Sequence, residues 1–307
     1  TLWHTLSLHD ALPIYLNVDH TPRLDELVEQ CAQEVPDRIA VRQGRQSITF
    51  RDLDQQARGI AGDLLESGLG SKDVIEVDLE SPLQQMAAVL AVLRLGATCV
   101  PVDRWRTDPP EDLNDFSIGR ALICDRTADP VDGKYDVVLR PPLQAESRRA
   151  APALPRLQSQ PQDVSLQLRD REGEVFGVSN WFLATRFVGQ PVAFETHTEL
   201  ALWQPRDSLL FFSELYACWQ AHGSASFMGS PTPPSFSELR EHLLETTISR
   251  VSMTPTILSS IVKDAQWADE VTHIRTWICS GEPLWPEVCD AFAERLPHSR
   301  LINTFTT

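Results

Sequence analysis

Three short segments hold residue types with chemistry to offer. Ser252-Met-Thr-Pro-Thr256, Ser280-Gly-Glu-Pro-Leu284 and Arg300-Leu-Ile-Asn-Thr-Phe305 each follow or contain a short apolar run. Gly281 and Glu282 fall in a strand-to-helix turn, where glycine permits a tight connection. Glu282 then has two readings, favouring the next helix start through its dipole or touching a ligand directly. Phe305 offers an aromatic face suited equally to a core or to stacking on a base. The eight histidines show no metal-ligand spacing, so His273 and His298 are expected at the surface or at helix ends. With no Gly-x-Ser-x-Gly elbow, a serine hydrolase lacks its signature.

A scaffold of strands alternating with helices must position these segments. Leu24, Leu27, Val28 and Cys31 fall at helical spacing, with Asp25 and Glu26 suiting the helix start. Residues 39–50 read as a β-hairpin around Gly44. Thr49 is placed to cap a helix over 51–68, with Leu53, Ala57, Ile60, Ala61, Leu64 and Leu65 on its inner face. Strand 73–79 follows, then an apolar helix over 84–95 stopped by a left-handed Gly96, then a buried strand over 97–102 ending in Pro-Val-Asp103. Further strands are predicted at 121–124, 135–139, 165–168, 199–204, 248–253, 274–279 and 300–303. Helices are predicted at 180–188, 215–222, 236–245, 255–264 and 286–296, and a Pro-rich turn at 229–235. Trp219 and Trp277 are expected in the core. This alternation predicts an α/β fold with mostly parallel sheets covered by helices.

The chain divides into residues 1–23, a leader or linker; 24–139, a first α/β subdomain; 140–162, a linker rich in Pro, Ala, Arg and Gln; and 163–307, a second α/β subdomain. Thr5–Ile14 resembles translated sequencing-adapter DNA or is a natural interdomain linker, and it is set aside from the fold. Lys plus Arg number 27 against 43 Asp plus Glu, a formal charge of -16. That balance argues against nucleic acid or an anionic membrane as partner. No apolar run approaches a membrane span. Six scattered cysteines without Cys-x-x-Cys are expected as buried thiols in a reducing cytoplasm.

In this order the segments resemble the adenylate-forming (AMP-dependent synthetase) superfamily, specifically the adenylation domains of nonribosomal peptide synthetases. Leu93-Arg-Leu-Gly-Ala-Thr-Cys-Val-Pro-Val-Asp103 is similar to its "L-K-A-G-x-A-Y-V-P-x-D" motif, and Ile48-Thr-Phe-Arg-Asp-Leu53 to "L-T-Y-x-E-L". Ser252–Thr256 resembles the segment leading the helix beside the substrate pocket. Ser280–Leu284 resembles "G-G-E-x-L", and Arg300–Phe305 the start of "N-x-Y-G-P-T-E". The resemblance implies the large, interleaved N-terminal core of such a ligase, truncated before a small C-terminal lid domain that carries a catalytic lysine. It implies ATP and Mg as cofactors, a carboxylic or amino acid as substrate, and a carrier protein or neighbouring synthetase domains in cis as partners.

The resemblance also assigns residues. Gly281, Glu282, Asn303 and Phe305 would lie around the nucleotide. Leu209, Leu210, Ser213, Ile278, Ser280 and Thr304 would line the acid pocket. The family's aspartate for a substrate α-ammonium falls on Leu209, counting back from Glu214, with Asp207 as the alternative if the segment is shifted. The family's phosphate loop, "T-S-G-S/T-T-G-x-P-K-G", falls on residues 164–180, with Glu174 at the lysine position and Asp170, Arg171, Glu172 and Gly173 before it. Carboxylates there repel a triphosphate, which Arg169 and Arg171 offset in part. No residue is assigned as catalytic and none as a metal ligand. Two functions follow from the resemblance: an AMP-forming acid ligase, or a degenerate, silent adenylation-like scaffold.

Overall fold

The computed structural model describes residues 22–103, 120–125, 135–140, 163–170, 174–179, 182–183, 198–228, 235–244 and 248–304. Most of the 140–162 linker, residues 1–21, the 229–234 turn and most of the helix expected over 180–188 lie outside them.

Helix α1 (Leu24–Glu34) opens the described chain and buries Leu24, Leu27, Val28 and Cys31. Strands β1 (Ile39–Gln43) and β2 (Gln46–Thr49) form the expected hairpin. Thr49 then caps α2 (Phe50–Glu66), its side chain accepting from the Asp52 N–H. Leu53, Ala57, Ala61 and Leu64 turn inward, but Leu65 is exposed, against expectation. One apolar position too many for the stripe of a surface helix leaves its last member in solvent.

Strand β3 (Val74–Asp78) leads to α3 (Pro82–Arg94), which Ser81 caps and Pro82 starts. The helix is buried around nearly its whole circumference, as its composition predicts. Gly96 ends it at φ +72°, a conformation that costs any side chain-bearing residue strain. Strand β4 (Thr98–Pro101) follows immediately. Helices α1, α2 and α3 are tied by a buried cation: the Arg94 guanidinium lies 2.6 Å from Asp54 Oδ1 and 3.3 Å from the Asp25 carbonyl.

The remaining strands are β5 (Ala121–Cys124), β6 (Val137–Leu139), β7 (Val164–Arg169), β8 (Val175–Ser179), β9 (Glu199–Leu202), β10 (Ser224–Phe227), β11 (Arg250–Met253), β12 (Thr276–Cys279) and β13 (Arg300–Asn303). The helices between them are α4 (Leu209–Gln220), α5 (Phe236–Leu244), α6 (Pro255–Lys263), α7 (Ala265–Glu270) and α8 (Pro286–Arg295). Helix α4 starts six residues before the expected 215, and α7 is absent from the sequence-based expectation. Residues 209–212 form an unbroken apolar run without helical period, so sequence alone does not separate them from a buried strand.

Two sheets result. One has seven strands in the order β13-β12-β11-β9-β10-β1-β2, and the other six in the order β6-β5-β3-β4-β7-β8. All pairings are parallel except the β1–β2 and β7–β8 hairpins. Each sheet takes strands from both sides of the 140–162 segment, so the two layers interleave. Trp219 ties α4 to β1 and α2: it is fully buried, its Nε1–H donates to the Ala40 carbonyl at 3.2 Å, and its ring meets Phe50 edge-on. Trp277 is likewise buried. All six cysteines are unpaired, five of them buried and Cys289 partly so.

Candidate functional site

Parallel strands place their carboxyl ends on one edge, where the following loops form a crevice. Strands β11, β12 and β13 run in register, Ser252 beside Ile278 and Ile278 beside Ile302. The segments after them therefore converge. Thr254 caps α6, its hydroxyl accepting from the Ile257 N–H. The Ser280 N–H donates to the Met253 carbonyl at 3.1 Å. Gly281 takes φ +85°, and the chain turns there toward α8. From β13, the Thr304 N–H donates to the Cys279 carbonyl at 2.8 Å, with its hydroxyl 3.2 Å from the same oxygen.

Six of the sequence-assigned residues, Ile278, Ser280, Gly281, Glu282, Asn303 and Thr304, thus lie along one sheet edge. Phe305 lies outside the described residues. The Glu282 carboxylate is held by its own scaffold: Thr256 donates to Oε2 from its N–H at 3.1 Å and from its hydroxyl at 2.5 Å. That places the carboxylate over the first turn of α6, where the helix dipole favours it.

The resemblance assigns the start of α4 as the facing wall. Ser208 caps it, the hydroxyl accepting from the Phe211 N–H at 3.3 Å and donating to the Pro205 carbonyl at 2.7 Å. Leu209 and Leu210 occupy the first turn, half-buried, and Ser213 and Glu214 the next. The Ser252 hydroxyl donates to Glu214 Oε1, locking α4 onto β11. The Trp203 Nε1–H donates to the Ser252 carbonyl at 2.6 Å. Beneath this wall the Ser213 hydroxyl and Glu214 Oε2 are buried without a hydrogen-bond partner among the described residues. Burial pushes the Glu214 carboxyl up to about 7, beyond what the Ser252 hydroxyl and the Arg250 charge pull down. Arg250 is lowered to about 10, again by burial, although Glu214 attracts its charge. On both partners desolvation outweighs attraction.

Sequence reasoning misses Glu214, Ser252 and Arg250 as a unit. The available signal is a single carboxylate inside the apolar run 209–219, which has to be paired or neutral once buried.

The junction between the two sheets is built from paired charges. Asp103, at the end of the Pro-Val-Asp motif, accepts from the Arg206 N–H at 2.8 Å and faces the Arg206 guanidinium at 3.5 Å. One residue on, Asp207 faces Arg169 of β7: Nε and Oδ2 are 3.9 Å apart, and the Arg169 N–H donates to the Asp207 carbonyl at 2.9 Å. Asp207 precedes the cap of α4 and is compensated within the chain.

Strand β7 continues into the segment assigned to the phosphate loop. It pairs with β8 as a hairpin in which Arg169 lies opposite Val175. Beyond that pair the Asp170 N–H donates to the Glu174 carbonyl at 3.0 Å, and the Asp170 carboxylate accepts the Glu174 N–H at 2.9 Å. Arg171, Glu172 and Gly173 lie outside the described residues. A triphosphate site needs free backbone N–H groups and a cation. Here the Glu174 N–H is taken by the Asp170 carboxylate, and Glu174 adds a second carboxylate where the resemblance would put a lysine. A carboxylate about 4 Å from a phosphate oxygen costs about 4 kcal/mol at an effective dielectric near 20. The residues described do not fit ATP phosphates. Among the described residues no cluster of three His, Cys, Asp or Glu side chains suits a metal ion, and no helix is long and apolar enough to cross a membrane.

Comparison with known proteins agrees with this architecture. A sequence model of the family described as AMP-binding enzyme matches residues 28–116. Surfactin synthase subunit 2 of Bacillus subtilis is 23% identical over 302 residues, which is 91% of this chain and 8% of that protein. The nonribosomal peptide synthetase FmoA3, in an AMPPNP-bound form, superposes with TM-score 0.77 at 20% identity, over 94% of this chain and 32% of that one. The N-terminal subdomain of Klebsiella oxytoca NpsA, in complex with 3-hydroxyanthranilyl-AMSN, superposes with TM-score 0.76 at 16% identity, over 95% of this chain and 75% of that one. The fold is that of an adenylation domain's N-terminal subdomain. The chain spans about a tenth or less of the synthetase sequences it matches over most of its own length.

Proposed function

We propose that the chain is a member of the AMP-binding enzyme family, whose model matches residues 28–116, and that it is a catalytically silent adenylation-like domain of a nonribosomal peptide synthetase. Leu209, Leu210 and Ser213 at the start of α4 and Ile278, Ser280 and Thr304 along the sheet edge would form its acid pocket, while the segment assigned to the phosphate clamp carries carboxylates. Its role is then architectural, holding carrier and neighbouring domains in cis, and residues 24–139 and 163–307 act as its two interleaved halves. The observation that carries this reading is the β7–β8 hairpin, where the Asp170 carboxylate occupies the Glu174 N–H. In an acyl-adenylating enzyme the protein's task is to hold two anions and to neutralise charge moving onto pyrophosphate. An acidic hairpin opposes both.

The test is acid-dependent ATP–pyrophosphate exchange by the full-length protein, screened over aliphatic, aromatic and amino acids. Silence predicts no exchange above background with any acid. Exchange that depends on one acid makes the domain an acid ligase and overturns the reading.

A further inference from the structure

The last residues of β11 carry the ties that fix the sheet edge. The Ser252 carbonyl accepts the Trp203 Nε1–H at 2.6 Å and the Gln204 Nε2–H at 3.4 Å. The Met253 carbonyl accepts the Ser280 N–H at 3.1 Å. The Ser252 hydroxyl donates to Glu214 Oε1 and so ties β11 to α4. Of these ties, that last one ends on a titratable group. Side chains alternate along a strand, so Arg250 and Ser252 share one face of β11. Glu214 therefore meets a neutral donor and a cation from the same strand, and both favour its charged form.

The charges around Glu214 are few. From β11 Arg250 attracts it, and Arg300 of β13 acts on Arg250. Within α4, burial keeps Cys218 a neutral thiol; Cys31 and Arg38 act on that thiol, and Glu26 of α1 on Tyr216. Strands β9 and β10 turn Leu200, Leu202, Ala225 and Phe227 into the apolar core that α4 shares, and Glu199 pairs with Arg42. Glu214 Oε2 is buried without a hydrogen-bond partner among the described residues, so it receives nothing from the guanidinium. Two arrangements follow. A neutral carboxyl keeps an ordinary bond from Ser252. An ionised one makes that bond charge-assisted and draws Arg250 toward Oε2. Desolvation opposes the second and pushes the carboxyl up to about 7, so the two exchange near neutrality.

We infer that Glu214 is a proton-controlled latch between α4 and the end of β11: losing its proton, it grips Ser252 and Arg250 together and tightens the strand end that Trp203 touches. The latch goes beyond the proposed function and rests on neither the acid pocket nor turnover of ATP.

Infrared and fluorescence titrations of the chain between about pH 5.5 and 8.5 test it. The infrared band of a buried protonated carboxyl reads the proton on Glu214. The fluorescence difference between the unaltered chain and Trp203→Phe reads the strand end. Both are expected to titrate together with one midpoint near 7, and both changes vanish in Glu214→Gln. Arg250→Met and Ser252→Ala each remove a group that favours the charge, so each raises the midpoint, Arg250→Met by about one pH unit or more. Arg250→Lys keeps it within about half a unit. A merely structural Glu214 would leave the midpoint unmoved by these changes. The inference is overturned if the protonated band is absent at the acid end, or if it titrates while the Trp203 signal stays flat. It is overturned too if the Trp203 signal titrates alike in Glu214→Gln, or if the midpoint is unmoved in folded Ser252→Ala and Arg250→Met. The unaltered chain and Glu214→Gln decide the latch even where Arg250→Met does not fold.

Discussion

Replacing Glu214 by Gln separates a buried neutral carboxyl from a working ion pair. The Glu214 side chain is 2% exposed, with the Ser252 hydroxyl on Oε1 and the Arg250 guanidinium as the nearest charge. Cys218, one turn along α4, is the other titratable group nearby, and burial keeps it a neutral thiol. Burial raises the Glu214 carboxyl from 4.5 to about 7. Below pH 4.5 the carboxyl is protonated folded and unfolded, so no penalty exists. Between pH 4.5 and 7 the unfolded chain releases its proton while the folded chain retains it, and stability falls as pH rises. Above pH 7 the folded group ionises too, and the loss is complete. At 1.36 kcal/mol per pKa unit the loss is about 3 kcal/mol.

Gln keeps the shape and an acceptor for Ser252 but cannot ionise. Urea unfolding followed by tryptophan fluorescence at pH 4.5, 6 and 8 reads the difference, with other titrating groups cancelling between the two proteins. Glu214→Gln is expected to match the unaltered chain at pH 4.5 and to exceed it by about 2–3 kcal/mol at pH 8. Parallel stability curves, or a less stable variant at pH 8, would refute the reasoning. Either result would mean that Arg250 compensates an ionised Glu214 despite its desolvation.

Trp219→Ala removes the ring that joins α4 to β1 and α2, and should cost about 3–5 kcal/mol in urea unfolding, as large buried aromatics do. Gly96→Ala forces a Cβ into φ +72° at the end of α3 and should cost about 1–2 kcal/mol in the same measurement, with helix content by circular dichroism unchanged.

Elements specified by neighbouring residues were legible in the sequence. Gly96 ends α3 as the left-handed stop the sequence predicts, whereas the Ser81 cap and Pro82 start the helix two residues before the expected 84. The hairpin β1–β2 and the Thr49 cap follow from equally local signals. Helix α4 was legible only in part, because an apolar run buried on every side loses its period. Helix α7, six residues long, gives too short a pattern to read. The strand ends that bring Ile278, Ser280 and Thr304 together follow from parallel pairing, so resemblance could assign them. The charges could not be paired from the chain alone. Asp103 meets Arg206 across 103 residues, and Asp207 meets Arg169 only because β7 crosses to the other sheet. Sequence could therefore name Asp207 as an alternative ammonium partner, while its compensation by Arg169 needed the fold.

The central claim concerns β7 and β8, where Asp170 and Glu174 lie in the segment that the resemblance assigns to a phosphate clamp. Radiolabelled pyrophosphate exchange into ATP by the full-length protein, across the acid panel, addresses it directly. The account predicts label incorporation at the no-acid background throughout, unchanged by Glu174→Ala. Incorporation that rises with the concentration of one acid and saturates would contradict it.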